Sequence, residues 1–274
     1  MKLKPKTVIA TLAAGLFLGG AAMGQTKVVI KGSDTLGAKM VPQLTAVYKA
    51  VGNAVDFEIA AEGSSTAFTS LLEGTADVGM SSRGAKEGEK DSFIAKGKEL
   101  VEHVAGIDMI AVVVNEGNSV KDLTKKQIEG IFTGEITDWS ELGGKKGAIS
   151  VYTRNTSSGT YKSFQELAMN KRDYGSSTQK MAGNEAIASE VGKNPNGIGY
   201  VGLAYAKNDG LAPILVEGKG LEDSTEYPLS RNLYYYTVGQ PQGDTAKFLT
   251  WAMSDAIALK VIEKVGFVPA VPAK

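Results

Sequence analysis

Apolar and polar positions alternate between two periods along this chain. Residues 27–30 (Lys-Val-Val-Ile) form a short β-type run, followed by Gly32-Ser33-Asp34-Thr35 and then by apolar positions at Leu36, Met40, Leu44, Val47 and Tyr48 at helical spacing. Pro42 interrupts that segment, so the main helix is predicted to begin there with proline in its first turn. Residues 55–60 predict a second strand, Gly63-Ser64-Ser65-Thr66 opens a helix through Phe68, Leu71 and Leu72, and residues 77–80 predict a third strand. The charged residues 86–102 predict a solvated helix. Residues 107–115 are almost continuously apolar, the pattern of a strand buried on both faces.

The same scheme returns further on. Residues 123–132 predict a helix with Leu123, Ile128, Ile131 and Phe132 inward; residues 149–154 predict a strand ending at Arg154. Asn155-Thr156-Ser157-Ser158-Gly159-Thr160 then opens a helix containing Tyr161, Phe164, Leu167 and Ala168. A polar helix over about residues 177–193 and a turn at Asn194-Pro195-Asn196-Gly197 follow. Residues 233–238 are rich in β-formers, with Tyr234-Tyr235-Tyr236 predicted as strand core rather than a stacking platform, and residues 243–265 supply C-terminal helices. Strands alternating with helices give an α/β class with parallel sheets and crossovers.

Composition narrows this picture. Lys2, Lys4 and Lys6 precede the uncharged apolar residues 7–22, and Ala22-Met23-Gly24 places small residues where a signal peptidase reads, so cleavage before Gln25 is expected. The 250 residues after it suffice for one large domain or for two lobes of about 120 each. The whole chain balances 30 basic against 30 acidic residues; without the three leader lysines, 27 stand against 30. A slightly acidic surface disfavours a nucleic-acid partner. There is no cysteine, hence neither a disulfide nor a thioether lipid anchor, which fits a freely diffusing protein of a periplasm.

Three strand-to-helix junctions share one design. Gly32-Ser33-Asp34-Thr35, Gly63-Ser64-Ser65-Thr66 and Ser157-Ser158-Gly159-Thr160 each place glycine and hydroxyls at a helix start, where unpaired N–H groups and the positive end of the macrodipole favour anions. Any one of them is ordinary capping; three at the carboxyl ends of strands point to a site. Arg154, just before the third, is placed to pair with an oxyanion. Arg83 is open between a structural ion pair and a place in the site.

Other chemistries find little support. Gly197-Ile198-Gly199-Tyr200-Val201-Gly202 matches the dinucleotide string, but a turn precedes it where a strand is needed. Neither a phosphate loop of the nucleotide-hydrolase type nor a nucleophile elbow occurs. One histidine, His103, and no cysteine disfavour a zinc hydrolase or a histidine-based triad, so no cofactor, no metal among the site residues and no catalysis are expected, with an Asp/Glu-only magnesium or calcium site left open.

These junctions, together with Ala76-Asp77-Val78-Gly79-Met80-Ser81-Ser82-Arg83, the Phe-Thr-Gly-x-Ile-x-x-Trp string at residues 132–139 and Gly197-Ile198-Gly199-Tyr200-Val201, resemble the periplasmic phosphate-binding proteins of the ABC phosphate importer. The resemblance covers nearly all of the chain after the leader. It implies a type II periplasmic binding fold, two α/β lobes joined by a two-strand hinge over residues 107–115 and 233–238. Lobe 1 would comprise residues 25–112 and 235–274, and lobe 2 residues 113–234. It further implies inorganic phosphate bound between the lobes by Ser33, Asp34, Thr35, Ser64, Ser82, Arg154, Ser158, Gly159 and Thr160, and delivery by a monomer to a membrane-embedded permease. One stretch differs: well-known members carry an aspartate near Ser82 that accepts the phosphate proton, whereas Ser82 and Arg83 stand here, and Asp34 is the carboxylate available for that task. A receptor for sulfate or another tetrahedral oxyanion, and a secreted phosphatase, are the competing readings.

Overall fold

The computed structural model describes residues 26–270; the expected leader and its cleavage before Gln25 lie outside them. Strand β1 (Thr26–Gly32) leads through a helical start at Asp34 and a π-turn (Leu36–Met40) into α1 (Val41–Ala50). Pro42 sits in the first turn of α1 with no N–H to donate, and just ahead of it the N–H of Val41 reaches back five residues to Leu36 O. There follow β2 (Val55–Ala60), α2 (Ser64–Glu73), β3 (Val78–Ser81), α3 (Glu87–Ala95), the long β4 (Leu100–Asn115), β5 (Asp122–Leu123) and α4 (Lys125–Thr133). Next come β6 (Ser150–Arg154), α5 (Gly159–Ala168), β7 (Gln179–Met181), α6 (Asn184–Lys193) and β8 (Gly197–Gly202). The short β9 (Leu211–Pro213) and β10 (Leu215–Val216), then β11 (Ser230–Val238), α7 (Gly243–Ser254) and α8 (Ala256–Val265), complete the chain.

The main sheet runs β2-β1-β3-β11-β4-β8-β6-β7, with β9 on the edge of β4. Its flanks are parallel, as the alternating pattern predicts, but its centre is antiparallel: β11 opposes both β3 and β4, and β4 opposes β8. The antiparallel centre exists because two strands pass between two packed bodies. The first half of β4 pairs with β11, from Leu100 opposite Val238 to Met109 opposite Ser230; the second half pairs with β8, from Ile110 to Val114.

Each half of the sheet carries its own core. Ile30, Leu36, Val78, Leu233, Tyr235, Phe248 and Ile262 fill one lobe. Ile110, Val112, Phe132, Trp139, Phe164, Ile198 and Tyr200 fill the other, while Ala111, Val113, Ile187 and Val201 pack the opposite face of its sheet. The apolar run at the end of β4 thus serves both faces, each fully buried aliphatic side chain contributing about 1.5–3 kcal/mol. Among the described residues no helix is long and apolar enough to cross a membrane.

Two predicted helices are shorter than expected. The predicted helix over residues 86–102 stops at Ala95, and Gly97, with φ +62°, turns the chain into β4. The helix expected over residues 177–193 begins only at Asn184, because residues 179–181 pair with β6 as a strand. Gly197–Gly202 is a buried strand whose glycines admit α6: a Cβ at Gly199 would come within 2.5 Å of Ile187 Cγ2.

His103, the single histidine of the chain, joins β4 to β11 by Nε2···Thr237 Oγ1 at 3.1 Å, and burial pushes its pKa below the ordinary value of 6.5. The unfolded chain therefore binds this proton more tightly, so the stability contributed by neutral His103 is present above 6.5 and is lost as pH falls through the lowered folded value. Thermal unfolding midpoints between about pH 8 and pH 5 should fall more steeply for the native protein than for His103→Gln; parallel curves would show that His103 does not contribute.

Candidate functional site

The carboxyl ends of β1, β2 and β6 each deliver a helix start into the gap between the lobes, and the end of β3 brings Ser82 beside them. Helix geometry begins at Asp34, so Asp34 and Thr35 carry first-turn N–H groups that no preceding turn can satisfy. Ser33 is buried just ahead of them, but its N–H is already committed to Met80 O at 2.8 Å. Gly63, with φ +132°, admits the opposing loop: a Cβ there would lie 2.8 Å from Ser157 O. Ser64 then opens α2, Ser158 caps α5 by accepting from Tyr161 N–H at 3.2 Å, and Gly159 and Thr160 form the first turn of α5.

The two lobes are in contact through these residues. Thr35 Oγ1 and Thr160 Oγ1 are 2.9 Å apart. Ser65 N–H donates to Ser157 O at 3.1 Å, and Ser157 Oγ donates to Glu62 O at 3.1 Å. Ser64 Oγ lies 3.2 Å from Ser82 Oγ and accepts the Ser82 N–H at 3.0 Å. A Cβ at Gly159 would come within 2.2 Å of Ser64 Oγ and 2.6 Å of Ser82 Oγ, so glycine alone permits this approach.

Arg154 is the charged centre. It is 1% exposed; its NH2 donates to Ala182 O at 3.2 Å, and its backbone N–H donates to Tyr200 OH at 3.2 Å. NH1 stands 3.2 Å from Asp34 Oδ2 in an ion pair between the lobes, yet neither NH1 nor Nε makes a hydrogen bond. A buried guanidinium with uncommitted donors is costly unless an acceptor comes to it. The same Asp34 Oδ2 accepts from Asn184 N–H at 3.0 Å and Asn184 Nδ2 at 2.6 Å, so Asp34 faces the arginine across the gap rather than merely capping its own helix. Behind Arg154, burial pushes the Tyr200 hydroxyl up, keeping it a neutral group that can both accept from Arg154 N–H and share a hydrogen bond with Thr153 Oγ1 at 2.6 Å.

The stretch that differs from well-known phosphate-binding proteins resolves into two roles. Ser82 stays at the gap: its hydroxyl meets Ser64, and its carbonyl accepts from Ser163 Oγ at 3.2 Å. Arg83 forks onto Glu89, with NH1 2.7 Å from Oε2 and NH2 2.6 Å from Oε1, donates from NH2 to Ser65 Oγ at 3.3 Å, and lies over the Phe68 ring at 5.1 Å. Of the two roles open to Arg83, the structural ion pair is the one the geometry shows.

Four residues here escaped the sequence reading. Asn184 begins α6 directly after Gly183, a fourth strand-to-helix junction hidden inside what the pattern predicts as one long polar helix. Arg231 and Asp108 form a buried ion pair, NH2 to Oδ2 2.7 Å, where β11 meets β4. Loss of water pushes the Asp108 carboxyl up and the Arg231 guanidinium down, each against the attraction of the other. Their signal was a lone charge within a β-type run; Ser163 gave none beyond helical position. The specific string at residues 132–139 is scaffold: Phe132 and Trp139 are buried, Trp139 Nε1 donates to Asn196 O at 3.1 Å, and Gly134 ends α4 at φ +86°. A surface groove lined by Lys125, Gln127, Glu166 and Arg172 among others shares no residue with the gap. Among the described residues no group of three or more His, Cys, Asp or Glu is placed to hold a metal ion.

Comparison with known proteins agrees with this geometry. The family model of the PBP superfamily domain matches residues 19–256. The phosphate-binding protein PstS of Pseudomonas aeruginosa is 33% identical over 270 residues, covering 89% of this chain and 82% of its own. Among solved structures, a protein from Clostridium perfringens assigned to phosphate ABC transport and crystallised with bound phosphate superposes with a TM-score of 0.82 at 30% identity, over 90% of this chain and 100% of its own. An ABC-type phosphate transport receptor from Vibrio cholerae gives 0.70 at 26% identity, over 89% and 100%.

Proposed function

This chain belongs to the phosphate-binding protein family of the PBP superfamily, and on that footing we propose that it captures inorganic phosphate between its lobes and delivers it to an ABC importer. The observation that carries the proposal is Arg154: a buried guanidinium with two donor positions outside any hydrogen bond, at the point where helix starts from both lobes converge. Thr35, Ser64, Ser82, Ser158, Gly159 and Thr160 supply hydroxyl and backbone donors around it, with Asp34 as the one acceptor and Ser33 holding the first loop in place. The protein would act as a monomer in the periplasm after cleavage before Gln25. The lobes would turn about β4 at Met109–Ile110 and about the start of β11 at Ser230, a few residues earlier than the boundary at 234–235 read from the sequence, since Ser230 already pairs with Met109. No catalytic step is proposed. Titration of the purified protein with phosphate and with sulfate, beside an assay with a generic phosphate ester, tests this: saturable phosphate binding with weaker sulfate binding and no hydrolysis is expected, and turnover or a preference for sulfate would reject it.

Phosphate near neutral pH keeps a proton that sulfate lacks, and only an acceptor can meet it. Asp34→Asn exchanges one acceptor oxygen for a donor while retaining most capping ability. Phosphate affinity should fall by roughly ten- to a hundredfold, the worth of one hydrogen bond to a charged group, and the preference over sulfate should shrink with it. Unchanged affinities for both anions would return Asp34 to a structural role.

A further inference from the structure

At the floor of the gap a second guanidinium stands behind the first. Arg231, at the start of β11, donates Nε (3.1 Å) and NH2 (2.7 Å) to Asp108 Oδ2 on β4, and NH1 to Ser82 O at 3.0 Å at the end of β3. The same NH2 also donates to Thr160 Oγ1 at 2.9 Å in the first turn of α5. Asp108 Oδ1 accepts the N–H of Leu203, just past β8, at 2.9 Å. One ion pair therefore touches both strands that join the lobes, the rim of each lobe, and a hydroxyl of the anion loop. Its side chains are 5% and 0% exposed. A buried ion pair is a poor way to add stability, because apolar side chains of similar volume do as well or better. Its function must then lie in what it orients.

The orientation can be read from donor and acceptor capacities. A guanidinium N–H only donates, so Thr160 Oγ1 must accept from Arg231, and its own proton is left to point into the gap. Thr35 Oγ1, 2.9 Å away, has the side-chain amide of Asn184 at 3.4 Å, again a donor. Each hydroxyl already accepts from a donor behind it, so at 2.9 Å one of the pair donates to the other, and an entering anion can take both protons. We propose that Arg231 is a positioning residue for anion capture: held by Asp108, it fixes the Thr160 hydroxyl as a donor into the gap and ties that polarity to the closed arrangement through the Ser82 carbonyl, without touching the anion. This rests on the phosphate reading above.

The test is a substitution cycle read by phosphate calorimetry. Thr160→Val in the otherwise native protein should weaken phosphate binding by about ten- to a hundredfold. In a background carrying Asp108→Asn with Arg231→Met, which strands no buried charge, the same Thr160→Val step should cost less than about threefold, because the hydroxyl has already lost its orientation. Arg231→Lys supplies an independent arm should the double variant fold poorly. A single ammonium cannot reach Asp108, Ser82 and Thr160 in the fork geometry, so affinity should fall despite the retained charge. Equal costs of Thr160→Val in both backgrounds, or full affinity in Arg231→Lys, would overturn the positioning role while leaving the phosphate reading intact. A native protein that binds no phosphate would overturn both.

Discussion

Arg154→Ala is expected to lower phosphate affinity by about 2–5 kcal/mol, or roughly thirty- to several-thousandfold, because a buried anion would lose its only facing guanidinium. Folding should survive. Asp34 keeps both Asn184 donors when the arginine is removed, and the aromatic packing behind the site, with Phe164 stacked on Tyr200 at 4.1 Å, does not depend on the guanidinium. The removal deletes two donors, Nε and NH1, that make no hydrogen bond among the described residues. The ion pair it breaks leaves Asp34 still held by Asn184, so the ligand-free variant should unfold close to the native temperature. Calorimetry showing near-native affinity would take Arg154 out of the site; a large fall in ligand-free stability would make it a scaffold residue.

Gly159→Ala should separate binding from stability in the opposite sense. Alanine is the better residue in a helix, by about 0.5–1 kcal/mol, so the lobe that carries α5 should be as stable or more so. Its Cβ, however, would meet Ser64 Oγ at 2.2 Å, Ser82 Oγ at 2.6 Å and Ser64 Cβ at 2.9 Å, all belonging to the other lobe. Rotating Ser64 aside breaks its bonds to Ser82 and still leaves the Cβ contact. Overpacking of this kind costs about 1–3 kcal/mol, which here falls on closure alone, so phosphate affinity should drop by roughly five- to a hundredfold or more. Native affinity in Gly159→Ala would show that α5 and α2 do not approach this closely around the anion.

The chain announces its strands and its anion loops through local chemistry. The apolar run at the end of β4 and the Gly-hydroxyl junctions at Asp34, Ser64 and Gly159 need only nearest neighbours to be read, and the structure brings those junctions together. What stayed hidden depends on pairing between distant segments. Asn184 looks like any polar helix residue until β7 ends three residues before it, and it then holds Asp34 from 150 positions away. Asp108 and Arg231 are 123 residues apart and acquire meaning only when β4 and β11 lie side by side. The antiparallel centre of the sheet was invisible for the same reason: strand and helix alternation predicts parallel crossovers, but it cannot show that one strand is shared by two lobes. The motif at residues 132–139 teaches the converse, since its specificity as a string reflects the packing of Trp139 and the turn at Gly134, not contact with the anion loops.

On the proposed reading phosphate is held from both lobes at once and draws them together, since Asp34, Thr35, Ser64 and Ser82 come from one side of the gap and Arg154, Gly159 and Thr160 from the other. Small-angle X-ray scattering of the purified protein, dialysed free of anion and then saturated with phosphate, measures this directly. A smaller radius of gyration on adding phosphate, abolished in Arg154→Ala, is the predicted result; superimposable profiles for the native protein with and without phosphate would contradict it.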